Sequence, residues 1–280
     1  MADIKKITEE LEEGVKAIFA SDRYREYLDC MGKFYNYSFN NTVLIFSQMP
    51  TASLVAGYNA WQNKFHRQVR KGERAIKILA PCPHKQIKSV EREDGSREEK
   101  EIRWTSYRAV NVFDVSQTEG AELPSIVSKL SGGVDTFPDT FNRLCGVSPV
   151  PVAYENIDHA NGYFSTTENR IAIKAGMSEQ QTLKTLVHEI AHAMLHGEDG
   201  EQKEAGRRTR EVQAESVAYI VCSALGLDTA DYSFGYIAGW SDGQEIKELS
   251  GSMDVIRKTA KTILEKLEGK DEAENGTAVA

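Results

Sequence analysis

Residues 178–196 read SEQQTLKTLVHEIAHAMLH, and this stretch decides how the C-terminal half is interpreted. Apolar residues recur in it at helical spacing, and Ser178 opens a Ser-x-x-Gln capping box, so the pattern predicts one helix. His188 and His192 stand four residues apart and therefore share a helix face, with Glu189 beside them. This HExxH arrangement is typical of a helix that binds zinc through two imidazoles and uses the glutamate as a general base.

A catalytic zinc ion needs a third protein ligand and an open position for water. The next predicted helix, at residues 206–225, supplies Glu211 and Glu215, again four residues apart. In the gluzincin arrangement, which this pattern resembles, the first carboxylate binds the metal and the second hydrogen-bonds a ligating histidine. We therefore expect Glu211 to be a ligand and Glu215 to be the hydrogen-bonding partner. An exchange of these two roles, or an exposed helix face near Arg207 and Arg210, remains the alternative.

The chemistry expected of this site is amide hydrolysis. Zinc would polarise a carbonyl, and Glu189 would take a proton from water and pass it to the leaving amine. Residues 170–174 predict a strand just before the helix, where zincins usually have an edge strand that pairs with an extended peptide. His196 lies about 12 Å along the helix axis from His188, too far to bind the same ion. We expect His196 to cap or pack the helix end.

The two halves of the chain differ in pattern, which predicts two domains of the α+β class. VPVAYENI, GYFST and NRIAIKAG predict three short strands followed by helices, an arrangement typical of α+β domains. We expect an N-terminal domain at residues 1–116 and a Ser/Gly/Pro-containing linker at 117–136. A zincin-like domain is expected at 137–268 and a disordered tail at 269–280.

The charge distribution indicates a local site for a polyanion. The 280 residues carry a net charge of −8, yet residues 51–90 hold eight basic side chains and a single acid, Glu73. A basic island in an acidic chain favours binding of a polyanion. Four widely spaced cysteines, a polar N-terminus and the lack of a long apolar run predict a reduced, soluble, cytoplasmic protein with no membrane segment.

Aromatic, amide and basic residues alternate in the N-terminal half, as a groove for single-stranded nucleic acid requires. Phe34, Phe46 and Trp61 are expected in the core. Residues 67–81 predict two short strands around a turn at Lys71-Gly72, and the charged residues 88–103 predict a solvated hairpin or loop. The candidate DNA-binding residues are Tyr35, Tyr37, Asn40, Asn41, Lys64, Arg67, Arg70, Lys71, Arg74 and Lys77.

Both halves resemble one family. YSFNNTVLIFSQ with AWQNKFHRQVRKGERAIKILAP resembles the N-terminal single-stranded-DNA-binding domain of ArdC-like antirestriction proteins. HEIAHAMLH with REVQAESVAYIVCSALGLDTADYSFGYIAGW resembles the zincin domain of that family, including its LtrC-like members. The resemblance implies a protein of a plasmid or other conjugative element that protects incoming single-stranded DNA. The chain departs from the family at His66-Arg67, where a Gly-Arg pair is common.

Two other functions compete with this interpretation. The chain could be a regulatory zinc protease that cleaves a repressor or restriction-related protein and uses its N-terminal half for docking. It could also be a DNA mimic, because the excess of acidic residues lies in the C-terminal part. Scattered basic residues among those acids make the DNA mimic the weakest of the three.

Overall fold

The computed structural model describes residues 2–19, 23–91, 97–123, 137–232, 234, 237–242 and 244–269. The helices within these ranges are α1 (Ala2–Phe19), α2 (Arg23–Lys33), α3 (Phe39–Gln48), α4 (Tyr58–Asn63), α5 (Phe137–Val147), α6 (Glu179–His196), α7 (Arg207–Ala224), α8 (Ile237–Ser241) and α9 (Ile246–Leu267). The strands are β1 (Val55–Gly57), β2 (Arg67–Val69), β3 (Ile76–Glu91), β4 (Arg97–Asp114), β5 (Thr118–Gly120), β6 (Val152–Glu155), β7 (Gly162–Ser165) and β8 (Arg170–Lys174). This mixture of helices and strands confirms the α+β class.

A long antiparallel hairpin dominates the N-terminal half. β3 and β4 pair from Ile76 opposite Val112 to Glu91 opposite Arg97, and β1 extends the sheet in the order β1-β4-β3. The hairpin predicted for residues 88–103 is present in the described residues 88–91 and 97–103, where β3 and β4 remain paired. The two strands predicted within 67–81 exist, but they do not pair with each other, since β2 pairs with β5.

Helix α3 covers the outer edge of β3 with two side-chain amides. Asn41 accepts from the backbone N–H of Leu79 at 2.8 Å and donates to its carbonyl at 2.9 Å. Two residues before Leu79 on β3, the backbone of Lys77 forms the same pair of hydrogen bonds with the side-chain amide of Gln48, both at 2.9 Å. Each amide thus replaces a missing neighbouring strand, and the otherwise open edge is protected from further pairing.

A buried carboxylate ties the base of the hairpin to the chain around it. Asp114 is 1% exposed and accepts from the backbone N–H groups of Ser53, Leu54 and Ser116 at 2.7, 3.0 and 2.9 Å. These three bonds replace the solvation that burial removes. Trp61 is fully buried as expected, and its indole N–H donates to the carbonyl of Phe113 at 2.8 Å.

The C-terminal half packs a three-stranded sheet against helices α6 and α7. Its strand order is β6-β8-β7, with β6 parallel and β7 antiparallel to β8. The expectation that residues 170–174 form the edge strand was wrong, because β8 is flanked on both sides and is central. The edge strand next to α6 is β7. A Cβ atom at Gly162 would lie 2.7 Å from the Thr185 side chain, so the glycine lets β7 approach the helix closely.

The two halves share one apolar core. Helix α2 lies against α7, where the hydroxyl groups of Tyr24 and Ser216 are 2.8 Å apart and the hydroxyl of Tyr219 donates to Asp29 at 2.8 Å. Buried side chains from α1, α2, α3, α6, α7 and α9 form a single cluster. The N-terminal half therefore rests directly on the helix that carries both candidate glutamates.

Part of the predicted linker, residues 117–136, belongs to the N-terminal sheet. Residues 118–120 form β5 and pair with β2, so ordered N-terminal structure continues at least to Gly120. Residues 124–136 of the linker and residues 270–280 of the predicted tail lie outside the described residues. Among the helices that are described, none has the length and apolar character needed to cross a membrane.

The amide bridges on β3 lead to a stability prediction. Replacing Asn41 with Ala leaves the partly buried N–H and carbonyl of Leu79 without partners, which should lower the free energy of unfolding by about 1–3 kcal/mol. The adjacent variant Asn40→Ala removes an exposed amide and should change that free energy by less than about 0.5 kcal/mol. Urea denaturation of the full chain measures both. Equal stabilities for the two variants would contradict the proposed role of the bridge.

Candidate functional site

Helix α6 carries the HExxH motif on a well-defined framework. Ser178 caps its start by accepting from the backbone N–H of Gln181, and the helix ends at His196. Leu186, Val187 and Ile190 are fully buried, so the opposite side of the helix is fixed in the core. This packing holds the face with His188 and His192 toward α7.

Helix α7 presents its two glutamates to that face. The Nε2 atoms of His188 and His192 are 3.1 Å apart, and they lie 3.8 and 3.7 Å from the Oε2 atom of Glu211. Ligand atoms in a tetrahedral site with metal bonds of about 2.1 Å lie about 3.4 Å from one another. The three atoms are thus spaced as one metal ion requires, and two nitrogens with one carboxylate oxygen form a suitable donor set.

Glu215 occupies a different position from Glu211. Its Oε2 atom lies 3.3 Å from Nδ1 of His188, on the side of the ring away from the three converging atoms. A carboxylate at Nδ1 keeps the proton there and leaves Nε2 as a lone-pair donor. The structure thus brings all four residues together, with Glu211 facing both Nε2 atoms and Glu215 behind one ring.

The pKa shifts at the site reflect burial opposed by nearby charge. Burial alone would lower the pKa of His188, but the hydrogen bond to Glu215 and the surrounding carboxylates raise it above its ordinary value. The hydrogen bond with His192 lowers the pKa of Glu211. Glu211 therefore stays ionised, as a carboxylate ligand must be.

Glu189 lies beside His188 and His192 and is more buried than they are. It is 7% exposed, and burial raises its pKa, while the backbone N–H of Phe164 on β7 donates to its carboxylate. A raised pKa brings a carboxylate closer to neutral pH, where it exchanges protons more effectively. The edge strand therefore both orients Glu189 and borders the space in front of it.

A cavity of about 250 Å³ opens beside His188 and Glu189. Gly162, at the start of β7, contributes to its wall. Lys184, one helix turn before His188, also contributes and is buried, with Nζ 2.6 Å from Oδ1 of Asp231. The cavity gives a substrate access to the side of the site where Glu189 lies. The ion pair of Lys184 and Asp231 makes one part of the cavity wall polar.

His196 does more than the expected capping or packing of the helix end. Its Nδ1 atom lies 3.0 Å from Nδ1 of His192, and its Nε2 atom lies 3.0 Å from Oε1 of Gln213 on α7. Burial lowers the pKa of His196 to about 4, so the ring is neutral. The sequence signal for the contact between His196 and His192 was the repeated four-residue spacing of His188, His192 and His196.

Several candidate DNA-binding residues instead make internal contacts. Tyr35 and Tyr37 pack against the core, with their hydroxyl groups donating to Glu268 at 3.3 Å and to the carbonyl of Val55 at 2.9 Å. Both hydroxyl groups therefore have internal partners, and DNA binding through the two rings stays a prediction. Asn41 is occupied by the backbone of β3, as described above.

Two of the candidate arginines also have internal partners. The guanidinium of Arg67 donates to the side chain and carbonyl of Thr118 at 2.7 and 3.0 Å. Arg70 forms an ion pair with Glu73 at 2.7 Å. The remaining candidates are exposed on the N-terminal half: Asn40, Lys64, Lys71, Arg74 and Lys77.

The hairpin exposes aromatic residues that the sequence prediction missed. We call residues 81–91 and 97–108 the arm. Described side chains at 83–87 and 101–108 are exposed on both faces of the ribbon. Trp104 is 47% exposed and stacks on His84 at 5.2 Å between ring centroids, and Tyr107 is 55% exposed. The charged and polar residues that surround these rings in both strands could have signalled their exposure.

Comparisons with known proteins match both halves of the chain. Residues 4–113 match the N-terminal domain of anti-restriction factor ArdC, and residues 145–247 match the IrrE N-terminal-like domain of a peptidase family. An uncharacterized protein of Bacillus anthracis (pXO2-81) is 27% identical over 88% of this chain. The chain spans about half the length of that curated relative, 48%.

Two solved structures share the fold. The metal-free antirestriction ArdC protein from plasmid R388 aligns with a TM-score of 0.55 and 19% identity, over 84% of this chain and 87% of that chain. The Mn(II)-bound form of the same protein gives a TM-score of 0.53 and 18% identity, over 82% and 85% of the two chains. The two domains and the shared fold make this chain ArdC-like.

The converging atoms predict a metal stoichiometry and its dependence on each glutamate. The purified chain should bind one divalent ion, and Glu211→Ala should abolish binding because it removes a ligand. Glu215→Ala should weaken binding by about 10–100-fold because it frees the ring of His188. Elemental analysis after dialysis and chelator competition measure these values, with exposed Glu204→Gln as the control. Loss of the ion in Glu215→Ala but not in Glu211→Ala would exchange the two roles.

Proposed function

We propose that this ArdC-like chain is an antirestriction protein of a conjugative element that binds single-stranded DNA and carries a zinc peptidase-like centre. The observation that carries the proposal is the convergence of His188, His192 and Glu211 next to buried Glu189, in a chain whose other half has a basic surface and an aromatic arm. Because the ligand would be DNA, we propose that the protein acts in the cytoplasm.

In this proposal His188, His192 and Glu211 hold the zinc ion, and Glu215 keeps His188 in the ligating tautomer. When bound, the ion would polarise a substrate carbonyl and acidify water. Glu189 would accept the proton from that water and deliver it to the leaving amine, because it is next to His188 and its pKa is raised by burial. The N–H of Phe164 holds the Glu189 carboxylate in place during this exchange.

A protein substrate would bind as an extended strand along β7. That strand is the edge of its sheet and borders the cavity beside Glu189. An edge strand offers backbone donors and acceptors at fixed intervals, which positions a peptide whatever its side chains. In this proposal the peptide-binding edge strand is β7, whereas the sequence predicted β8.

Single-stranded DNA would bind the N-terminal half through its exposed cations and the arm. Tyr107, Lys85 and Arg103 occupy one face of the ribbon, and Trp104, His84 and Arg108 occupy the other, as the cross-strand register requires. Exposed rings stack bases and the cations pair with phosphates. Glu101 already contacts Lys85 and Arg103, so phosphate groups would compete with one carboxylate for two cations.

The alternative is a regulatory protease that cleaves a repressor or restriction-related protein. The completeness of the site favours it, because Glu189 and a substrate-accessible cavity have no use in DNA binding alone. In that case the N-terminal half would serve to dock the protein target. The two functions differ in whether protection of DNA depends on Glu189.

Replacement of Glu189 by Gln separates the two functions. Because only proton transfer is removed, the variant should keep its zinc and its affinity for oligonucleotides while peptide hydrolysis falls by about 10²-fold or more. Peptide-library cleavage, zinc content and protection of transferred DNA in cells are measured, with exposed Glu198→Gln as the control. Retained protection supports the DNA-binding function, and lost protection supports the protease. Undiminished cleavage would contradict the assignment of Glu189.

Removal of the aromatic rings of the arm tests the DNA surface. Trp104→Ala and Tyr107→Ala should each weaken binding of a single-stranded oligonucleotide by about 5–150-fold, the loss of one stacked base. Lys71→Gln should instead flatten the dependence of log affinity on log salt by about 0.7, the contribution of one phosphate contact. Tyr154→Ala removes an exposed ring from the other half and is the control. Wild-type affinity in both arm variants would show that the arm is not part of the DNA-binding surface.

A further inference from the structure

A chain of buried polar groups extends from His192 into the core behind the candidate metal centre. It passes from Nδ1 of His192 to Nδ1 of His196 at 3.0 Å and from Nε2 of His196 to Oε1 of Gln213 at 3.0 Å. Gln213 in turn donates from Nε2 to the hydroxyl of Ser252 at 2.9 Å. The chain joins α6, α7 and α9, and its inner members are 9% exposed or less.

The atoms that face one another along this chain indicate an order of donors and acceptors. Nε2 of Gln213 donates to Ser252 and also to Oε1 of Gln202 at 3.4 Å, so Oε1 is the atom that faces His196. An amide oxygen only accepts, and therefore Nε2 of His196 carries a proton. A neutral ring protonated at Nε2 has a lone pair at Nδ1. The proton between the two rings then belongs to Nδ1 of His192.

We propose that His196, oriented by Gln213, is a positioning residue that holds His192 in the tautomer with a free Nε2 lone pair. Nε2 is the atom of His192 that lies 3.1 Å from Nε2 of His188 and 3.7 Å from Glu211, where the metal ion would bind. Glu215 does the same for His188 through a carboxylate. The two ligating histidines are thus oriented by different groups, one charged and one neutral.

The neutral partner has a physical consequence for the site. A carboxylate behind His192 as well would add a fourth negative charge beside Glu189, Glu211 and Glu215. An imidazole backed by an amide fixes the same tautomer without adding charge, and it needs no ion pairing of its own in the core. The sequence spacing allows this, because residues 188, 192 and 196 lie on one helix face at successive turns.

The tautomers can be read directly by nitrogen NMR of the metal-free full chain labelled in its six histidines. The proposal, which rests on the proposed metal site for its purpose, predicts Nδ1–H for His192 and Nε2–H for His196. His192→Gln and His196→Gln assign the two rings in the spectrum. An Nδ1–H tautomer of wild-type His196 would overturn the proposal without any need for metal binding, so it fails separately from the proposed function.

Zinc affinity tests whether the hydrogen bond from His192 to His196 matters for metal binding. His196→Leu cannot accept from Nδ1 of His192 and should weaken zinc binding by about 10–100-fold. In His196→Gln the amide oxygen can accept from His192 while its nitrogen donates to Gln213, so affinity should return to within about threefold of wild type. Urea denaturation of each metal-free variant checks folding.

If His196→Leu is too unstable to measure, Gln213→Leu interrupts the same chain one step further from the metal. This variant should no longer hold the proton of His196 on Nε2. Zinc affinity of a folded His196→Leu or Gln213→Leu chain within threefold of wild type would overturn the proposal. Equal loss in His196→Leu and His196→Gln would also overturn it, because a hydrogen bond would then not be what matters.

Discussion

The packing of α6 against α7 is the constraint on which the rest of the site depends. Each helix contributes a pair of polar residues four positions apart, His188 with His192 and Glu211 with Glu215. The two pairs meet at distances of 3.3–3.8 Å only because packing against neighbouring elements fixes the position of both helices. A shift of one helix turn, about 5.4 Å, would separate every ligand atom from its partners.

Helix α7 is held on several sides, which explains how that precision is maintained. It contacts α6, α2 and α9, and its polar side chains are partnered where they are buried. Ser216 meets Tyr24, Gln213 meets His196 and Ser252, and Tyr219 meets Asp29. The N-terminal half is therefore part of the support for the metal centre. The two matched domains share one core, so removing the first would expose the buried side of the helix that carries Glu211.

The sequence predicted the features that depend on local spacing. HExxH and the glutamate pair each stand on a single helix, and the three short strands of the C-terminal half have clear turn signals, so neighbouring residues sufficed. The partners of Asn41, Arg67 and Tyr37 could not be predicted, because each lies on a distant segment that only the fold brings near. β7 as the edge strand was missed for the same reason: edge position depends on pairing between strands. His196 was underestimated because its partner Gln213 is on another helix.

The most direct test of the central claim is X-ray absorption at the zinc edge of the loaded full chain. The account predicts two imidazole nitrogens at about 2.0–2.1 Å, with the remaining positions taken by oxygen from Glu211 and water. Glu211→Ala should bind no zinc and should therefore give no signal at the zinc edge. A third imidazole, or a sulfur ligand at about 2.3 Å, would contradict the account, because among the described residues only His188 and His192 have Nε2 atoms at the convergence point.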